Sequence, residues 1–346
     1  MPEQDAKVAI VGAGPIGIEL AVALKKAGID YLHFDSKQIG YTVSWFAPQT
    51  RFFSSNERIA IAGVPLVTPD QSKSTREQYL AYLRSVVTQF DLKIHAYEPV
   101  TDIQRQGGED GQFLLTTRPR AGEAQYRVDK LILATGGTAR ARSLGIPGEN
   151  LPHVSHYFAD PHEYFGQRLH IIGGKNSAVE AALRAQQAGA LVSMSHRRPE
   201  FDSARIKYWL WPEISGLIQS GRIPVHFNSR PVLIRPDRVI LEQERIGRIE
   251  VPADFVLALI GYEADMTLFL RAGVELIGPG EVPKYNPNTM ETTVPGLFVA
   301  GTATAGTQNR FGVFIENCHV HVDRIMASLT GHTPPAAPSP LERPES

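Results

Sequence analysis

The strongest constraint on the fold is a strand, glycine-rich turn, helix and strand that occur twice in the same order. Apolar patterning predicts the three elements at residues 7–11, 18–27 and 31–34 in one copy, and at 169–172, 177–187 and 191–195 in the other. Gly28 and Gly189 are placed to end the two helices. This order is typical of a parallel βαβ unit. The 346-residue length is more than twice that of a usual domain, so two α/β domains are predicted.

The first turn reads Gly12-Ala13-Gly14-Pro15-Ile16-Gly17, a complete GxGxxG between a strand and a helix. Its three glycines permit a tight turn, close approach of the backbone to a pyrophosphate, and close packing of the helix. The free N–H groups of the helix N-terminus favour bound phosphate. Asp35 ends the second strand, where an acid accepts hydrogen bonds from adenosine ribose hydroxyls. The pattern predicts a dinucleotide site, and the alternative interpretation is a tight turn without a ligand.

The second turn reads Gly173-Gly174-Lys175-Asn176-Ser177, with lysine replacing the second glycine of the pattern. Lys175 is predicted to meet a phosphate, and Ser177 to cap the helix that follows.

The two copies differ most where their second strands end. Counting 23 positions from Gly12 reaches Asp35, whereas 23 positions from Gly173 reach His196-Arg197-Arg198. A carboxylate suits a ribose 2′-hydroxyl and repels a 2′-phosphate, whereas an arginine fork binds phosphate oxygens. The first site is therefore predicted to take FAD, with NAD as the alternative, and the second NADPH. A solvated basic loop is the alternative for the arginines, and Arg205 and Lys207 are further candidate contacts.

Three further segments are similar to parts of flavoproteins that bind two dinucleotides. Residues 131–137 and 257–262 each form an apolar strand that ends in small residues, which resembles the crossovers between the two domains of such proteins. Residues 293–301 resemble their C-terminal FAD strand. In those proteins an acid usually follows the last glycine and holds the ribityl chain, but here Thr302 stands in that place.

The order of these motifs resembles the low-molecular-weight thioredoxin reductases over residues 7–329, and within that group the YpdA family of bacillithiol disulfide reductases. The resemblance depends on five short segments, at residues 52–54, 156–158, 172–180, 290–292 and 314–317. It implies an α/β fold of two Rossmann-like domains, each with three layers, and a homo-oligomer of two or four chains. The FAD domain would comprise residues 1–150 and 264–332, and the inserted NADPH domain residues 151–263. Residues 333–346 are rich in proline and are predicted to form a disordered tail.

The predicted cofactor contacts follow from the two turns and the resemblance. For FAD they are Gly12, Gly14, Pro15, Ile16, Gly17, Asp35, Ser36, Lys37, Val100, Ala134, Thr135, Gly136, Gly301 and Thr302. For NADPH they are Gly173, Gly174, Lys175, Asn176, Ser177, His196, Arg197, Arg198 and Gly261.

The chain departs from the resembling families in its thiols. Thioredoxin reductases carry a CxxC at the start of the NADPH domain, where this chain has His156 and Ala159. Many YpdA-like proteins carry a proposed catalytic cysteine in the first glycine turn, where this chain has Ile16. Cys318 is the single cysteine, and it is predicted to be a small buried residue, with a redox role as the alternative. His156 is a second candidate catalytic residue beside the alternative of a structural histidine.

Composition narrows the possible partners. A formal net charge of −1 and the lack of a basic cluster with aromatics argue against nucleic acid. The apolar runs are too short to span a bilayer, and no signal segment precedes the first strand. A single cysteine excludes an intrachain disulfide, and no metal site is expected. A reducing cytoplasm fits these features.

The predicted reaction is hydride transfer from NADPH through FAD to an acceptor. The resemblance implies a low-molecular-weight disulfide such as bacillithiol disulfide. A ferredoxin, a flavodoxin or a quinone is the alternative, since reductases of this architecture without CxxC serve them. A flavoprotein redox sensor without enzymatic activity is the non-enzyme alternative.

Overall fold

The computed structural model describes residues 4–107, 111–309 and 312–333. All but the first residue of the predicted tail at 333–346 lies outside the described residues. The first part of the chain forms β1 (Gln4–Val11), α1 (Pro15–Lys26), β2 (Tyr31–Phe34), α2 (Tyr41–Ser44), α3 (Asn56–Ile59), α4 (Arg76–Gln89), β3 (Val100–Gln106), β4 (Gln112–Thr117), β5 (Ala124–Leu133) and β6 (Arg140–Ala141). The middle part forms β7 (Val154–Ser155), β8 (Arg168–Ile172), α5 (Asn176–Gln187), β9 (Leu191–Ser195), α6 (Trp211–Gln219), β10 (Val225–His226), β11 (Ser229–Arg235), β12 (Arg238–Gln243), β13 (Gly247–Pro252), β14 (Phe255–Ala258) and β15 (Tyr262–Glu263). The last part forms α7 (Thr267–Arg271), β16 (Leu276–Ile277), β17 (Val282–Pro283), β18 (Leu297–Val299) and α8 (His319–Thr330).

The chain divides into two compact units. Within the described residues, the first unit takes the chain up to Trp45, Gln49–Arg140, and the chain from Glu263 onward. The second unit takes Phe46–Pro48 and Ala141–Tyr262. Each unit contains one of the two βαβ copies.

The first unit is built on a six-stranded sheet in the order β2-β1-β5-β4-β3, with β18 also paired to β5. Strands β2, β1, β5 and β18 run parallel, and β3 and β4 are antiparallel additions. Helices α1, α4 and α8 cover one face, where Ile18, Leu83 and Ile325 are buried. On the other face Phe113 packs in a separate core with Phe269 of α7. Both faces are therefore covered, as a parallel sheet requires.

The second unit is built on a parallel sheet in the order β10-β9-β8-β14-β7. Helices α5 and α6 cover one face through a core that includes Val179 and Ile214. The antiparallel sheet β11-β12-β13 covers the other face through Ile234 and Leu241. Helix, parallel sheet and antiparallel sheet form three layers, which confirms the predicted α/β class of three-layered, Rossmann-like domains.

The first helix is well specified by local sequence. It begins with Pro15, which loses no helical hydrogen bond at that position, and its last turn is followed by Gly28 at a φ of +66°. Apolar patterning of the sequence predicts a last helix over residues 311–329, and the structure differs at its start. It begins at His319, after a 3₁₀ turn at Ile315–Asn317, and Phe311 lies outside the described residues. The Asn317 carboxamide accepts the Phe314 N–H and donates to Gly312 O, and these side-chain bonds favour a turn over a longer helix.

Candidate functional site

The first glycine turn contains two glycines that the protein itself requires. Gly12 has a φ of +110°, and a Cβ there would lie 2.3 Å from the Ala134 carbonyl oxygen. A Cβ at Gly17 would lie 1.9 Å from the Gly12 carbonyl oxygen. Gly14 is different because it is the N-cap of α1, and no described atom lies within 4 Å of its would-be Cβ. The open space beside Gly14 at a helix N-terminus fits the pyrophosphate of a dinucleotide.

Asp35 lies against this turn. Its Oδ2 accepts the Ala13 N–H at 2.6 Å, and its Oδ1 accepts the Lys37 N–H at 2.8 Å. Burial raises the pKa of Asp35, and the two backbone hydrogen bonds oppose that rise. Each carboxylate oxygen keeps a further lone pair, so Asp35 can still accept ribose hydroxyls. Ser36 and Lys37 follow it on the exposed surface.

His33 contacts the backbone of the first glycine turn, and sequence reasoning did not identify it. Its side chain is fully buried, and burial lowers its pKa to about 4, so the imidazole is neutral. The Nε2 lies 3.0 Å from the Gly12 carbonyl oxygen, which only accepts, so Nε2 carries the proton and donates. His33 thereby fixes the orientation of the Gly12 peptide. An alternating strand pattern gives no signal for this contact.

Glu98 helps to hold the backbone of Asp35 in place. The Asp35 N–H donates to His95 O at 3.0 Å, and the Glu98 N–H donates to Asp35 O at 2.9 Å. The buried Glu98 carboxylate accepts the hydroxyls of Thr117 at 2.6 Å and Tyr126 at 2.9 Å. These bonds hold residues 95–98 alongside the end of β2. Sequence reasoning named the nearby Val100, whose side chain is buried in the core of the first unit.

The remaining FAD candidates surround the first glycine turn. The Ala134 N–H donates to Val11 O at 2.8 Å, which places residues 134–136 beside Gly12. Thr135 Oγ1 is buried and has no hydrogen-bond partner among the described residues, so it can meet a polar group of a bound cofactor. The Thr302 hydroxyl accepts the Gly137 N–H at 2.9 Å and still has its own proton to donate.

Ile16 and Gly301 meet at the same end of the sheet. Ile16 is 5% exposed, and its Cβ would lie 3.5 Å from a Cβ at Gly301, which has a φ of +69°. The Gly301 N–H donates to His321 Nδ1 at 3.2 Å. The position of the family's cysteine is therefore a packed apolar side chain in this protein.

The second glycine turn is also closely packed. A Cβ at Gly173 would lie 2.6 Å from Leu259 O, and a Cβ at Gly174 would lie 2.5 Å from His196 Nδ1. Helix α5 begins at Asn176 with Lys175 as the N-cap. The prediction that Ser177 caps this helix is wrong, because Ser177 is already its second residue and the turn extends one residue less than expected.

Five cations gather around the N-terminus of α5. Burial lowers the pKa of Lys175, and the charges of Arg205, Arg142, Arg197 and Arg198 lower it further. Arg197 and Arg198 are exposed. So much positive charge beside a helix N-terminus fits a polyanionic ligand, such as a dinucleotide with a third phosphate.

Arg142 belongs to this group although no sequence motif selects it. Its Nε donates to Tyr262 O at 3.3 Å, and its side chain lies 3.8 Å from a would-be Cβ at Gly261. Gly261 itself has a φ of +107°. Burial lowers the pKa of His196, as do Arg198 and Arg197, so this ring is a neutral member of the cluster.

Cys318 does not have the setting of a reactive thiol. Its side chain is fully buried in the core of the first unit, and burial raises the pKa of the thiol far above its usual value. A thiolate is the reactive form, so this environment favours the structural interpretation. The cysteine's role stays a prediction.

His156 has one partner and one unused nitrogen. Its Nε2 lies 3.3 Å from Glu149 Oε1, and its buried Nδ1 has no hydrogen-bond partner among the described residues. Burial alone would raise the pKa of Glu149, but hydrogen bonds from the Ser143 hydroxyl and the Leu144 and Gly145 N–H groups lower it overall. His156 thus lies next to a buried carboxylate of the second unit that these hydrogen bonds stabilise.

Two other kinds of site are absent from the described part of the chain. No helix there is long and apolar enough to cross a membrane. No group of three or more His, Cys, Asp or Glu side chains in the same residues is arranged to hold a metal ion. A cavity of about 570 Å³ lies between Gln187 at the end of α5 and Glu213 of α6. It is at the opposite end of α5 from the glycine turn, so it is separate from the predicted nucleotide site.

Comparison with known proteins identifies similarity along nearly the whole chain. A family model described as pyridine nucleotide-disulphide oxidoreductase matches residues 9–301. Bacilliredoxin reductase Bdr of Bacillus subtilis is 34% identical over 323 residues, which are 93% of this chain and 97% of that protein. The solved structure of bacillithiol disulfide reductase Bdr (YpdA) from Bacillus cereus has a TM-score of 0.88 at 33% identity, covering 95% of this chain and 99% of that one. A ferredoxin–NADP reductase of Ignicoccus hospitalis is 26% identical over 305 residues, covering 85% of this chain and 89% of that protein.

Proposed function

Because the chain belongs to the pyridine nucleotide-disulphide oxidoreductase family, in the group of the Bdr (YpdA) reductases, we propose that it reduces a low-molecular-weight thiol disulfide with electrons from NADPH. The protein is an oxidoreductase that uses FAD and NADPH.

One observation carries the assignment of the cofactors to the two units. The first glycine turn is paired with the carboxylate of Asp35, and the second is surrounded by cations that include Arg197 and Arg198. We assign FAD to the first unit and NADPH to the second, since a carboxylate disfavours the 2′-phosphate and arginines favour it. In this assignment the first unit is the FAD domain and the second the NADPH domain.

Residues of the first unit would hold FAD in distinct ways. The N–H groups at the start of α1 meet the pyrophosphate beside Gly14, and Asp35 accepts the adenosine ribose hydroxyls. Thr135 and Thr302 would offer their hydroxyls to polar atoms of the same cofactor. When bound, FAD supplies the two-electron chemistry that connects NADPH oxidation to reduction of the acceptor.

The electrons would pass to the acceptor without an obligatory protein thiol. A dithiol relay needs two cysteines, and the chain has only Cys318. That thiol is fully buried with a raised pKa, and the apolar Ile16 fills the family's cysteine position. A disulfide RSSR that receives two electrons and two protons becomes two RSH, so no protein disulfide is needed for the balance.

The direct experiment is an anaerobic acceptor screen with the purified holoenzyme. NADPH oxidation is followed with a catalytic amount of enzyme and an excess of acceptor. The acceptors compared in parallel are bacillithiol disulfide, glutathione disulfide, ferredoxin, flavodoxin and a quinone. The proposal expects NADPH-dependent release of free thiol from bacillithiol disulfide. Turnover with an artificial dye but with none of the disulfides would reject this acceptor class while leaving the reductase activity intact.

A redox protein of the ferredoxin class is the second candidate acceptor. The lack of a CxxC favours it, because such an acceptor takes electrons from a flavin without thiol chemistry. The similarity to a ferredoxin–NADP reductase supports the same reading. Ferredoxin reduction in the screen, without thiol release from any disulfide, would make it the leading assignment.

We also propose a reducing, cytoplasmic setting and a homo-oligomer of two or four chains. One free cysteine and a family of NADPH-dependent reductases fit such a compartment. Light scattering of the purified holoenzyme measures the oligomeric state.

A further inference from the structure

A segment of the second unit folds back over the second glycine turn. This segment, residues 201–209, follows the end of β9 and leads into α6; we call it the clasp. Three contacts anchor it. Phe201 is buried, and its ring would lie 2.7 Å from a Cβ at Gly174. Ile206 is buried in the core, and the Lys207 N–H donates to Asn176 Oδ1 at 2.9 Å, at the first residue of α5.

Two aromatic side chains leave the anchored part of the clasp toward solvent. Tyr208 is 81% exposed and Trp209 is 36% exposed. Their ring centroids are 4.8 Å apart with an interplanar angle of 87°, so the edge of one ring braces the face of the other. Large exposed aromatic rings are costly to leave in water, and in an edge-to-face pair each ring keeps at least one face open to a ligand.

The position of the clasp determines which half of a bound dinucleotide it would contact. In a βαβ unit, the pyrophosphate lies at the helix N-terminus and the adenosine lies over the end of the second strand. The clasp starts just beyond the end of β9, next to Arg197 and Arg198, and is tied to the start of α5 through Lys207. It therefore spans the adenosine half of the ligand rather than the nicotinamide half.

We propose that Tyr208, braced by Trp209, packs against the adenine ring of bound NADPH and so raises affinity for the adenosine half. This rests on the proposed function, which assigns NADPH to the second unit. An aromatic face suits a purine, because base–aromatic stacking is favourable without any hydrogen bond. The arginines then select the 2′-phosphate, and the clasp binds the base.

The test measures binding to the oxidised holoenzyme by calorimetry, with three probes. These are NADP⁺, the adenosine fragment 2′,5′-ADP, and nicotinamide mononucleotide. Tyr208→Ala should weaken NADP⁺ and 2′,5′-ADP by the same factor, roughly 10-fold. Tyr208→Phe keeps the ring and should restore the affinity of the unmodified protein. In kinetics, the alanine variant should raise KM for NADPH and leave kcat nearly unchanged.

Phe165 offers a matched control. It is 66% exposed and lies against Gly189, at the far end of α5 from the glycine turn. Phe165→Ala also removes an exposed ring from the second unit, and it should leave all three affinities unchanged.

Each other result overturns a defined part of the argument. Equal binding of 2′,5′-ADP by Tyr208→Ala and the unmodified protein overturns the inference. If Tyr208→Ala weakens the binding of NADP⁺ but not of 2′,5′-ADP, Tyr208 contacts the nicotinamide half, and the inference is again overturned. If the unmodified protein binds neither NADP⁺ nor 2′,5′-ADP, the proposed NADPH site itself is wrong, and the clasp inference falls with it.

Discussion

Gly14→Ala should separate the stability of the protein from its ability to bind FAD. The backbone at Gly14 has a φ of −74° and a ψ of −178°, which alanine adopts freely. No described atom lies within 4 Å of the added Cβ. Alanine is a poorer N-cap than glycine. Alanine also reduces the conformational entropy of the unfolded chain, which raises the free energy of unfolding by about 0.4–1 kcal/mol. The free energy of unfolding of the apoprotein should therefore change by less than about 1 kcal/mol.

The same methyl group should strongly weaken FAD binding. It would occupy the space beside the helix N-terminus that the pyrophosphate needs, and overpacking of this kind costs about 1–3 kcal/mol. That corresponds to a loss of affinity of roughly 5- to 150-fold. The assay is titration of FAD into apoprotein, with thermal unfolding of each apoprotein in parallel.

Two other glycines calibrate this experiment. Gly17→Ala places a Cβ 1.9 Å from Gly12 O, so the apoprotein itself should lose stability. Gly216→Ala lies in α6 with open space around it and should gain up to about 1 kcal/mol without any effect on FAD. The reasoning is refuted if Gly14→Ala binds FAD as tightly as the unmodified protein does, or if its apoprotein unfolds as readily as that of Gly17→Ala.

Three further predictions follow from the site. Replacing Arg197 and Arg198 with alanine should erase a preference for NADPH over NADH of roughly 10- to 100-fold. The preference should be nearer the lower figure because both side chains are exposed. The ratio of the kcat/KM values for the two nucleotides measures it, and an NADH preference in the unmodified protein contradicts the assignment. Cys318→Ala should leave NADPH-to-dye turnover and any disulfide reduction nearly unchanged, whereas loss of disulfide reduction alone, with FAD content intact, would identify Cys318 as the redox residue. His319→Gln should destabilise the protein more at pH 6 than at pH 9. Burial lowers the pKa of His319, but the 2.8 Å bond to Glu19 outweighs this and raises it overall. The stabilisation by His319 is therefore present below the usual imidazole pKa and is lost as pH rises through the raised value. Equal Tm differences between variant and unmodified protein at both pH values would contradict this.

Much of the fold could be predicted because its signals are local. The glycine spacing, the alanine-rich helices and the short apolar strands each act within about a dozen residues, and both βαβ units have the predicted order. Local signals were weaker where a polar side chain competes with the helix. The residues before His319 illustrate this, since Asn317 bonds the backbone of a turn that apolar periodicity alone would extend as helix.

Supporting residues of the site could not be predicted, because their partners lie far away in sequence. Glu98 holds Asp35 in place through hydroxyls of Thr117 and Tyr126 on two other strands. Arg142 joins the second cluster only because residues 142 and 261 meet in the folded unit. No spacing rule connects positions that become neighbours only when strands from separate parts of the chain pair.

The proposed assignment of FAD to the first unit and NADPH to the second comes from the sequence alone, since one turn is paired with an acid and the other with arginines at the same spacing. Residue type sets charge, and charge is enough to distinguish a 2′-hydroxyl from a 2′-phosphate. Only the tertiary structure decided which groups are available for chemistry. It buries Cys318 and raises the pKa of its thiol, it leaves Thr135 Oγ1 without a partner among the described residues, and it leaves the Tyr208 side chain exposed. Exposure and desolvation arise from packing between distant segments, so they exist only in the folded chain.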